Sequence, residues 1–251
     1  MGAGKRFPGS AGRERLASPG RRAGMALASL LVALAMPLFL FLADVEGVAY
    51  HLSAYEQSFV ASGAPAATGL TADQLLVVIT RTLDYATGRR QDFQFDLSEI
   101  GAGPPGRPAF SEIEVAHMAD VRALFLLGRA VRRAALRLVV LGAAALLALD
   151  RARGGARLAR ALMAGSAVTM VAWGALAVAV LLDFGSFWTG FHETLFSNDL
   201  WLLPSGSLLI EMLPESLFQR LALEVVGLLT VEALAILFLS AGYLRNRAVA
   251  R

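Results

Sequence analysis

The chain has 251 residues, 56% of them hydrophobic, and a formal net charge of +3 at pH 7. Its mean hydropathy of +0.58 is too high for an ordinary soluble domain, so the composition indicates an integral membrane protein. Cysteine is absent, which excludes disulfides, a thiol nucleophile and attachment of a lipid to a cysteine of this chain.

Residues 1–24 are rich in glycine, arginine, serine and proline, a composition that predicts a disordered basic tail. The apolar segment 25–43 follows, and about 20 such residues suffice to cross a bilayer. A cleavable signal peptide is the alternative for residues 1–43. Because the end of this segment, Phe41-Leu42-Ala43, is a poor cleavage site, the sequence favours a retained first transmembrane helix.

Residues 44–133 are too many to connect two membrane helices without structure of their own. Thr71 and Gln74 fit a capping box and predict a helix over 72–87. Residues 93–97 alternate between apolar and polar side chains and predict a short strand or an extended arm. A loop rich in glycine and proline at 101–106 is expected to follow.

Ser111 and Glu114 make a second capping box, from which a helix is predicted to run through His117 and Asp120. This helix is expected to continue into the second apolar segment, 134–149. That segment has the weakest apolar pattern of the chain, because three arginines crowd its start: Arg132, Arg133 and Arg137. Their side-chain stems are expected to reach back to the membrane interface.

Two further apolar segments, 158–182 and 221–243, are long enough to cross a bilayer. A loop at 150–157 precedes the first of them, residues 183–220 lie between the two, and a tail at 244–251 ends the chain. Within 183–220, the apolar stretch 208–213 stops at Pro214 and is too short to span. It is predicted to be a re-entrant or interfacial segment.

The distribution of arginine predicts the orientation, because short cytoplasmic segments carry an excess of positive charge. The N-terminal tail, the loop at 150–157 and the C-terminal tail share one side in a four-span protein, and all three are basic. Both termini are therefore predicted to be cytoplasmic, with residues 44–133 and 183–220 outside the cell membrane. The predicted fold is an all-α, multi-pass membrane protein with four transmembrane helices and a mainly helical extracytoplasmic cap. The basic tails then determine topology, and no nucleic-acid partner is expected.

Acidic residues within or beside the apolar segments are costly in hydrocarbon, so they are expected to face other helices or a polar cavity. Asp44 and Glu46 are candidates to neutralise outer arginines or to orient a substrate amine. Glu224 and Glu232 lie within the fourth segment, and Arg122 and Arg129 are candidates to pair with them or to bind anionic head groups.

His117 lies between two carboxylates, Glu114 and Asp120, at helical spacings that bring neighbouring side chains to a similar face. A carboxylate beside an imidazole fixes its tautomer and raises its pKa, as a general base requires. A solvated helix face that happens to carry a histidine is the alternative interpretation. Glu-x-x-His is also half of a metal motif, but di-metal bundles need two copies and only one is present.

His192 follows the third apolar segment, among aromatic residues suited to the membrane interface: Phe187, Trp188, Phe191 and Phe196. Asn198, Asp199 and Trp201 come shortly after it. An interfacial anchor is the alternative role for this histidine. His51, the third histidine, has no paired motif and is predicted to be structural. Both paired segments are expected on the outer side at similar depth, which makes their histidines a candidate site for acid–base chemistry on a lipid.

Two signatures of acyl and phosphoryl chemistry are missing from the sequence. No Gly-x-Ser-x-Gly turn occurs, which leaves a hydrolase-type serine unsupported. No glycine-rich loop that would cradle a phosphate occurs either. Any acyl chemistry at the histidines must therefore proceed without an obvious protein nucleophile.

At these residues the chain resembles the lipoprotein intramolecular transacylase family of four-span bacterial membrane proteins. The order of apolar and outer segments agrees over residues 25–243. The matching positions fall in the two outer segments: Ser111-Glu112, His117-Met118, Asp120-Val121, Phe191-His192, Leu195-Phe196, Asn198-Asp199, Trp201, Pro204, residues 209–215 and Phe218. The basic, alanine-rich second apolar segment departs from the pattern.

The resemblance implies an enzyme that moves the sn-2 acyl chain of a diacylglyceryl-modified lipoprotein to the amine of that lipoprotein's own N-terminal cysteine, giving the lyso form. It implies that His117 and His192 carry the proton transfers. The residues expected to support them are Glu114, Asp120, Asn198, Asp199 and Trp201. The expected partners are diacylglyceryl lipoproteins and membrane lipids, without a cofactor or a metal. A non-enzymatic lipid- or partner-binding protein and a metal-dependent membrane hydrolase stay open as alternatives.

Overall fold

The structure is a computed structural model that describes residues 18–250. Within that range the chain is helical, with one 3₁₀ turn at Leu97–Ile100 and no β-strand. The α-helices are α1 (Pro19–Ala49), α2 (Leu52–Ser62), α3 (Ala64–Thr68), α4 (Ala72–Ala86), α5 (Glu112–Leu149), α6 (Gly154–Leu182), α7 (Phe184–Leu195), α8 (Leu208–Met212) and α9 (Glu215–Val249).

Helix α1 is longer at both ends than the apolar segment that predicts it. Ser18 caps it and Pro19 occupies its first turn, so residues 19–24 are helical and do not belong to a disordered tail. The remainder of that predicted tail, residues 1–17, lies outside the described residues. At the other end, α1 runs past residue 43 and includes Asp44 and Glu46.

Three of the described helices, α1, α6 and α9, are long and apolar enough to cross a membrane. Helix α5 continues without interruption from the Ser111 cap to Leu149, as predicted. It is not among the three, because its apolar half carries arginines such as Arg132, Arg133 and Arg137 at its start. The fourth membrane span therefore stays a prediction.

The four long helices pack into one bundle, in which α1 lies against both α5 and α6, and α6 lies along α9. Two glycines allow the close approach of α1. A Cβ atom on Gly142 of α5 would lie 2.8 Å from Val32 Cγ2, and one on Gly165 of α6 would lie 2.8 Å from the Ala33 main-chain oxygen. Small residues at such contacts are typical of helices that pack inside membranes.

A tight turn reverses the chain between α5 and α6. The Asp150 carboxylate accepts hydrogen bonds from the Arg153 N–H at 2.9 Å and from Arg157 Nε at 3.3 Å. Because the two helices then run back against each other, the start of α5 and the end of α6 lie at the same end of the bundle. This arrangement brings His117 and His192 towards each other.

Residues 50–110 pack against one end of the bundle, and their apolar side chains share one buried core with Met118 of α5, Met212 of α8 and Leu229 of α9. The Thr71–Gln74 capping box starts α4 as predicted, with both reciprocal hydrogen bonds present. Residues 93–96 form an extended arm in place of a strand, tied back by a single antiparallel bridge between Asp96 and Pro108, and Leu97 begins the 3₁₀ turn. The predicted short apolar segment at 208–213 contains the five-residue helix α8, which packs against α3.

Charged residues beside the bundle form ion pairs between distant segments, and the predicted pairing of Glu46 with arginines is confirmed. Glu46 neutralises Arg129 and Arg132, with 3.0 Å between its Oε2 and Arg132 Nη1. Glu224 pairs with His51, whose Nδ1 lies 2.6 Å from the Glu224 carboxylate. The expected pairing of α9 glutamates with outer arginines is therefore wrong for Glu224, and His51 has the structural contact predicted for it.

Candidate active site

The first turn of α5 holds the position of His117. Glu114 Oε2 accepts hydrogen bonds from the Ser111 main-chain N–H at 2.8 Å and from its hydroxyl at 2.7 Å. Glu114 Oε1 accepts the main-chain N–H of Leu209 at 2.9 Å. Both carboxylate oxygens are thus engaged away from His117. The prediction that Glu114 fixes the tautomer of His117 is wrong, because the unpaired N–H groups at the helix start attract the carboxylate.

His117 is buried, with 9% of its surface exposed. Its Nδ1 atom is buried and has no hydrogen-bond partner among residues 18–250. Burial lowers the pKa of His117 below its ordinary value, and the neighbouring His192 lowers it further, while Asp120 acts in the opposite direction. The ring is therefore neutral at pH 7.

His192 lies on α7, a helix that the sequence analysis did not predict. The Asp183 carboxylate caps this helix by accepting the Ser186 main-chain N–H at 3.0 Å. Near the other end, His192 Nδ1 lies 2.7 Å from the main-chain oxygen of Trp188, one turn earlier. A carbonyl oxygen only accepts, so Nδ1 carries the hydrogen and Nε2 of the neutral ring carries the lone pair.

The environment of His192 also keeps its ring neutral. Only 6% of its surface is exposed. Burial lowers the pKa of His192, and the hydrogen bond to the Trp188 carbonyl opposes that shift by favouring the protonated ring. The site therefore holds two uncharged imidazoles at neutral pH.

Aromatic rings hold the two histidines close together. The ring centroids of His117 and His192 are 6.2 Å apart. Trp201 stacks on His192 with centroids 4.8 Å apart and 26° between the planes, and Trp188 meets it edge-on at 4.5 Å. Phe196 contacts both imidazoles, at 5.5 Å from His117 and 5.7 Å from His192. Rotation of either ring is thus restricted.

Asn198 connects the loop after α7 to the helix that carries His117. Its Nδ2 donates to Asp120 Oδ2 at 2.9 Å, and its Oδ1 accepts the Leu200 main-chain N–H at 3.0 Å. Asp120 and Asn198 are therefore brought together beside the imidazole pair. Asp199 is not part of this contact: its side chain is exposed, and only its main-chain oxygen accepts a hydrogen bond, from Leu202.

Two residues of this site were missed as functional by sequence reasoning. Trp188 was interpreted only as an interfacial aromatic, although a helix from the Asp183 cap would have placed it one turn before His192. Phe196 was interpreted in the same way, and its contact with both imidazoles depends on how the end of α7 meets α5. No local signal in the sequence reports that contact.

The described residues offer no group of three or more His, Asp, Glu or Cys side chains that could hold a metal ion. Two neutral, buried imidazoles in contact can take up and return protons close to pH 7. The arrangement thus fits acid–base catalysis of a reaction between groups that the substrate itself supplies.

Comparison with known proteins points to one family. The family model for the lipoprotein intramolecular transacylase Lit matches residues 30–218. The chain is also similar in fold to the solved structure of Lit from Bacillus cereus, with a TM-score of 0.73, 20% identity, and coverage of 92% of this chain and 98% of that one.

Two further structures are of Bacillus cereus Lit variants in which one histidine is replaced by arginine or by alanine. Each gives a TM-score of 0.68 at 19% identity and matches 92% of this chain. The match covers 95% of the arginine variant and 96% of the alanine variant. A search of curated proteins found no significant match to the chain.

Proposed function

Because this chain belongs to the lipoprotein intramolecular transacylase family, we propose that His117 and His192 form the acid–base pair of its acyl transfer. The chain is a membrane enzyme that moves an O-linked acyl chain of a diacylglyceryl lipoprotein to the amine of that lipoprotein's own N-terminal cysteine. The assignment rests on two buried, neutral imidazoles that belong to separate segments and whose ring centroids are 6.2 Å apart.

His192 removes the first proton from the α-ammonium of the cysteine. Its Nδ1 hydrogen is committed to the Trp188 carbonyl, so Nε2 offers a lone pair, and the same carbonyl stabilises the imidazolium that forms. Asp120 lies one turn after His117 on α5 and supplies a negative charge that attracts the ammonium. The freed amine then attacks the ester carbonyl carbon, which forms the C–N bond and leaves negative charge on the carbonyl oxygen.

The reaction needs two proton acceptors, because the ammonium loses two protons on its way to an amide. One goes to the glycerol oxygen when its bond to the carbonyl carbon breaks, and the other is released to solution. In the proposed sequence, His192 returns its proton to the glycerol oxygen while His117 takes the second from the attacking nitrogen. The lowered pKa of His117 favours release of that proton at neutral pH.

Two features explain why the proposed reaction needs neither a protein nucleophile nor an energy source. Donor and acceptor belong to one molecule, so the enzyme folds its substrate onto itself, and well-oriented intramolecular reactions reach effective molarities of ~10⁵ M or more. Acid–base assistance adds typically ~10²–10⁴-fold. Trp201 stacks on His192, and its indole N–H is a candidate donor to the oxyanion.

Expression in a host that makes diacylglyceryl lipoproteins tests the assignment. Mass spectra of their N-terminal peptides should show the lyso form with the wild-type enzyme and not with His117→Gln or His192→Gln. His51→Gln is the matched control, since His51 pairs with Glu224 away from the imidazole pair. The assignment would be refuted if either of the first two variants, present in the membrane in the same amount as the wild-type enzyme, converted lipoproteins at the wild-type level.

The proposed topology has both termini in the cytoplasm, the apolar half of α5 as the fourth span, and residues 44–133 and 183–220 outside. The basic residues near the α5–α6 turn and at the C-terminus support it. Because the chain lacks cysteine, single cysteines report topology cleanly. An impermeant maleimide should label Ser197→Cys in intact cells, and Arg151→Cys only after permeabilisation; the reverse pattern would invert the topology.

The metal-dependent hydrolase alternative makes a different prediction. Extensive chelation should leave the rate of acyl transfer unchanged if the two imidazoles act alone. Loss of activity on chelation, with recovery on addition of Zn²⁺, would favour the metal-dependent alternative.

A further inference from the structure

A groove of about 250 Å³ begins beside the imidazole pair and runs along α5. Its lining residues come from α5 and from the end of α7 with the loop that follows: Asp120, Ala123, Leu124, Leu127, Leu195, Phe196, Ser197 and Asn198. Building on the proposed function, we propose that this groove holds the acyl chain that is transferred, with its carbonyl end at Asp120 and Asn198.

The polar end of the groove adjoins the reacting groups. Asp120 and Asn198 close that end with their mutual hydrogen bond of 2.9 Å. Phe196, which lines the groove, also contacts both imidazoles. A chain that lies in the groove therefore presents its carbonyl carbon where His117 and His192 exchange protons.

The other end of the groove is apolar and open. Ala123, Leu124 and Leu127 follow one another along one side of α5, and Leu195 faces them from the end of α7. The side chain of Leu127 is 60% exposed and that of Leu195 is 42% exposed. The groove is thus polar at the end beside the catalytic groups and apolar along the rest of its length. An acyl chain matches it, with a polar carbonyl at one end and an aliphatic tail.

The groove is shorter than the acyl chain that we propose it holds. From Asp120 to Leu127 the helix rises ~10 Å along its axis. An extended palmitoyl chain is longer, so its distal carbons leave the groove at Leu127 and continue into the surrounding lipid. The groove thus recognises the part of the chain next to the carbonyl and places no upper limit on chain length.

The groove contributes orientation more than affinity. Lipid tails are as apolar as leucine side chains, so moving an acyl chain from bilayer to groove gains little hydrophobic free energy. Holding the first carbons in one direction instead fixes the ester carbonyl relative to the amine and to both imidazoles. Filling the groove should therefore lower the turnover of long-chain substrates selectively.

Two synthetic lipopeptides that differ only in the length of the transferred chain, palmitoyl or acetyl, test the inference with purified enzyme. Ala123→Trp should lower the palmitoyl rate at least tenfold relative to the acetyl rate. Leu141→Trp is the control, because Leu141 is 66% exposed on the same helix and does not line the groove. An unchanged palmitoyl-to-acetyl ratio in Ala123→Trp, with the wild-type enzyme active, would overturn the groove assignment alone.

Cross-linking separates this inference from the proposed function. A lipopeptide with a diazirine near the carbonyl of its acyl chain should label the peptide around Leu124 and Leu127 in the His117→Gln, His192→Gln double variant, where no transfer is expected. Adding Ala123→Trp should abolish that labelling. Labelling that falls elsewhere, or that Ala123→Trp does not reduce, would contradict the groove even if the histidines prove catalytic.

Discussion

Glu114 and Leu209 join two distant segments of the chain: Glu114 Oε1 accepts the Leu209 main-chain N–H at 2.9 Å in a buried position. The other carboxylate oxygen holds Ser111, at the N-cap of α5. One turn later along the same helix lies His117. Glu114 thus acts on the site by fixing the start of α5 against α8, and it does not touch the imidazole.

Removal of the Glu114 carboxylate should weaken both stability and activity. Hydrogen bonds to a charged group contribute about 1.5–3 kcal/mol each, so we expect Glu114→Ala to cost ~3 kcal/mol of unfolding free energy. Thermal unfolding in detergent measures the loss, and acyl-transfer assays should show lower activity. Glu112→Ala is the control, since Glu112 is exposed in the same first turn. Equal melting temperatures for the two variants would contradict this role.

The acid limb of the pH–rate profile should lie below the ordinary titration range of histidine. The pKa values of both His117 and His192 are lowered by burial, so the rings stay neutral until the pH falls below about 6.5. We therefore expect kcat/KM to be constant on this limb near pH 7 and to decline only at lower pH. A decline that begins above pH 7 would show that the imidazoles are not buried as described.

Asp120→Asn should move that limb in a defined direction. The Asp120 carboxylate favours protonation of His117 and thereby opposes the lowering of its pKa. Its neutralisation should shift the acid limb of kcat/KM to still lower pH. An upward shift would contradict the electrostatic assignment, whereas a purely structural role of Asp120 would change the rate without moving the limb.

Trp201 should act as a positioning residue for His192, because the two rings stack with centroids 4.8 Å apart. Aromatic contacts contribute about 0.5–1.5 kcal/mol beyond burial, which corresponds to roughly twofold to tenfold in rate. We expect Trp201→Ala to reduce kcat by that factor and Trp201→Phe to restore most of it. If Phe is as slow as Ala, the indole N–H and not the stacked ring is the important group.

Local patterns in the sequence predicted the parts of the fold that local hydrogen bonds determine. The capping boxes at Thr71 and Ser111 correctly marked the starts of α4 and α5, and the continuity of α5 followed from its periodicity. Helix α7 was missed because its many aromatic residues resemble an interfacial loop after an apolar segment. The Asp183 cap was the signal that would have revealed it.

The candidate site was predictable in outline and not in detail. Charge distribution alone placed His117 and His192 at one end of the bundle, and the structure brings their rings together. The hydrogen bonds that fix the site could not be predicted, because Glu114 finds Leu209 on a distant segment and His192 finds a main-chain carbonyl. Such contacts depend on how distant helices pack together, and the sequence of one helix does not indicate its packing partner.

Close packing of α1 against α6 should tolerate no added methyl group at Gly165. A Cβ there would lie 2.8 Å from the Ala33 main-chain oxygen and 2.7 Å from Met36 Cε. We expect Gly165→Ala to cost about 1–3 kcal/mol through overpacking. Gly174→Ala on the same helix is the control, because a Cβ there meets nothing within 4 Å. Thermal unfolding in detergent compares the two, and equal stability would contradict the packing described.

The rate of acyl transfer in purified His117→Gln, His192→Gln and the double variant measures the central claim most directly. Residues that act as one unit have non-additive effects. We therefore predict that each single variant loses at least ~10²-fold in kcat and that the double variant is hardly slower than either. Multiplicative losses, or a single variant that keeps the wild-type rate, would contradict a shared catalytic role for the two imidazoles.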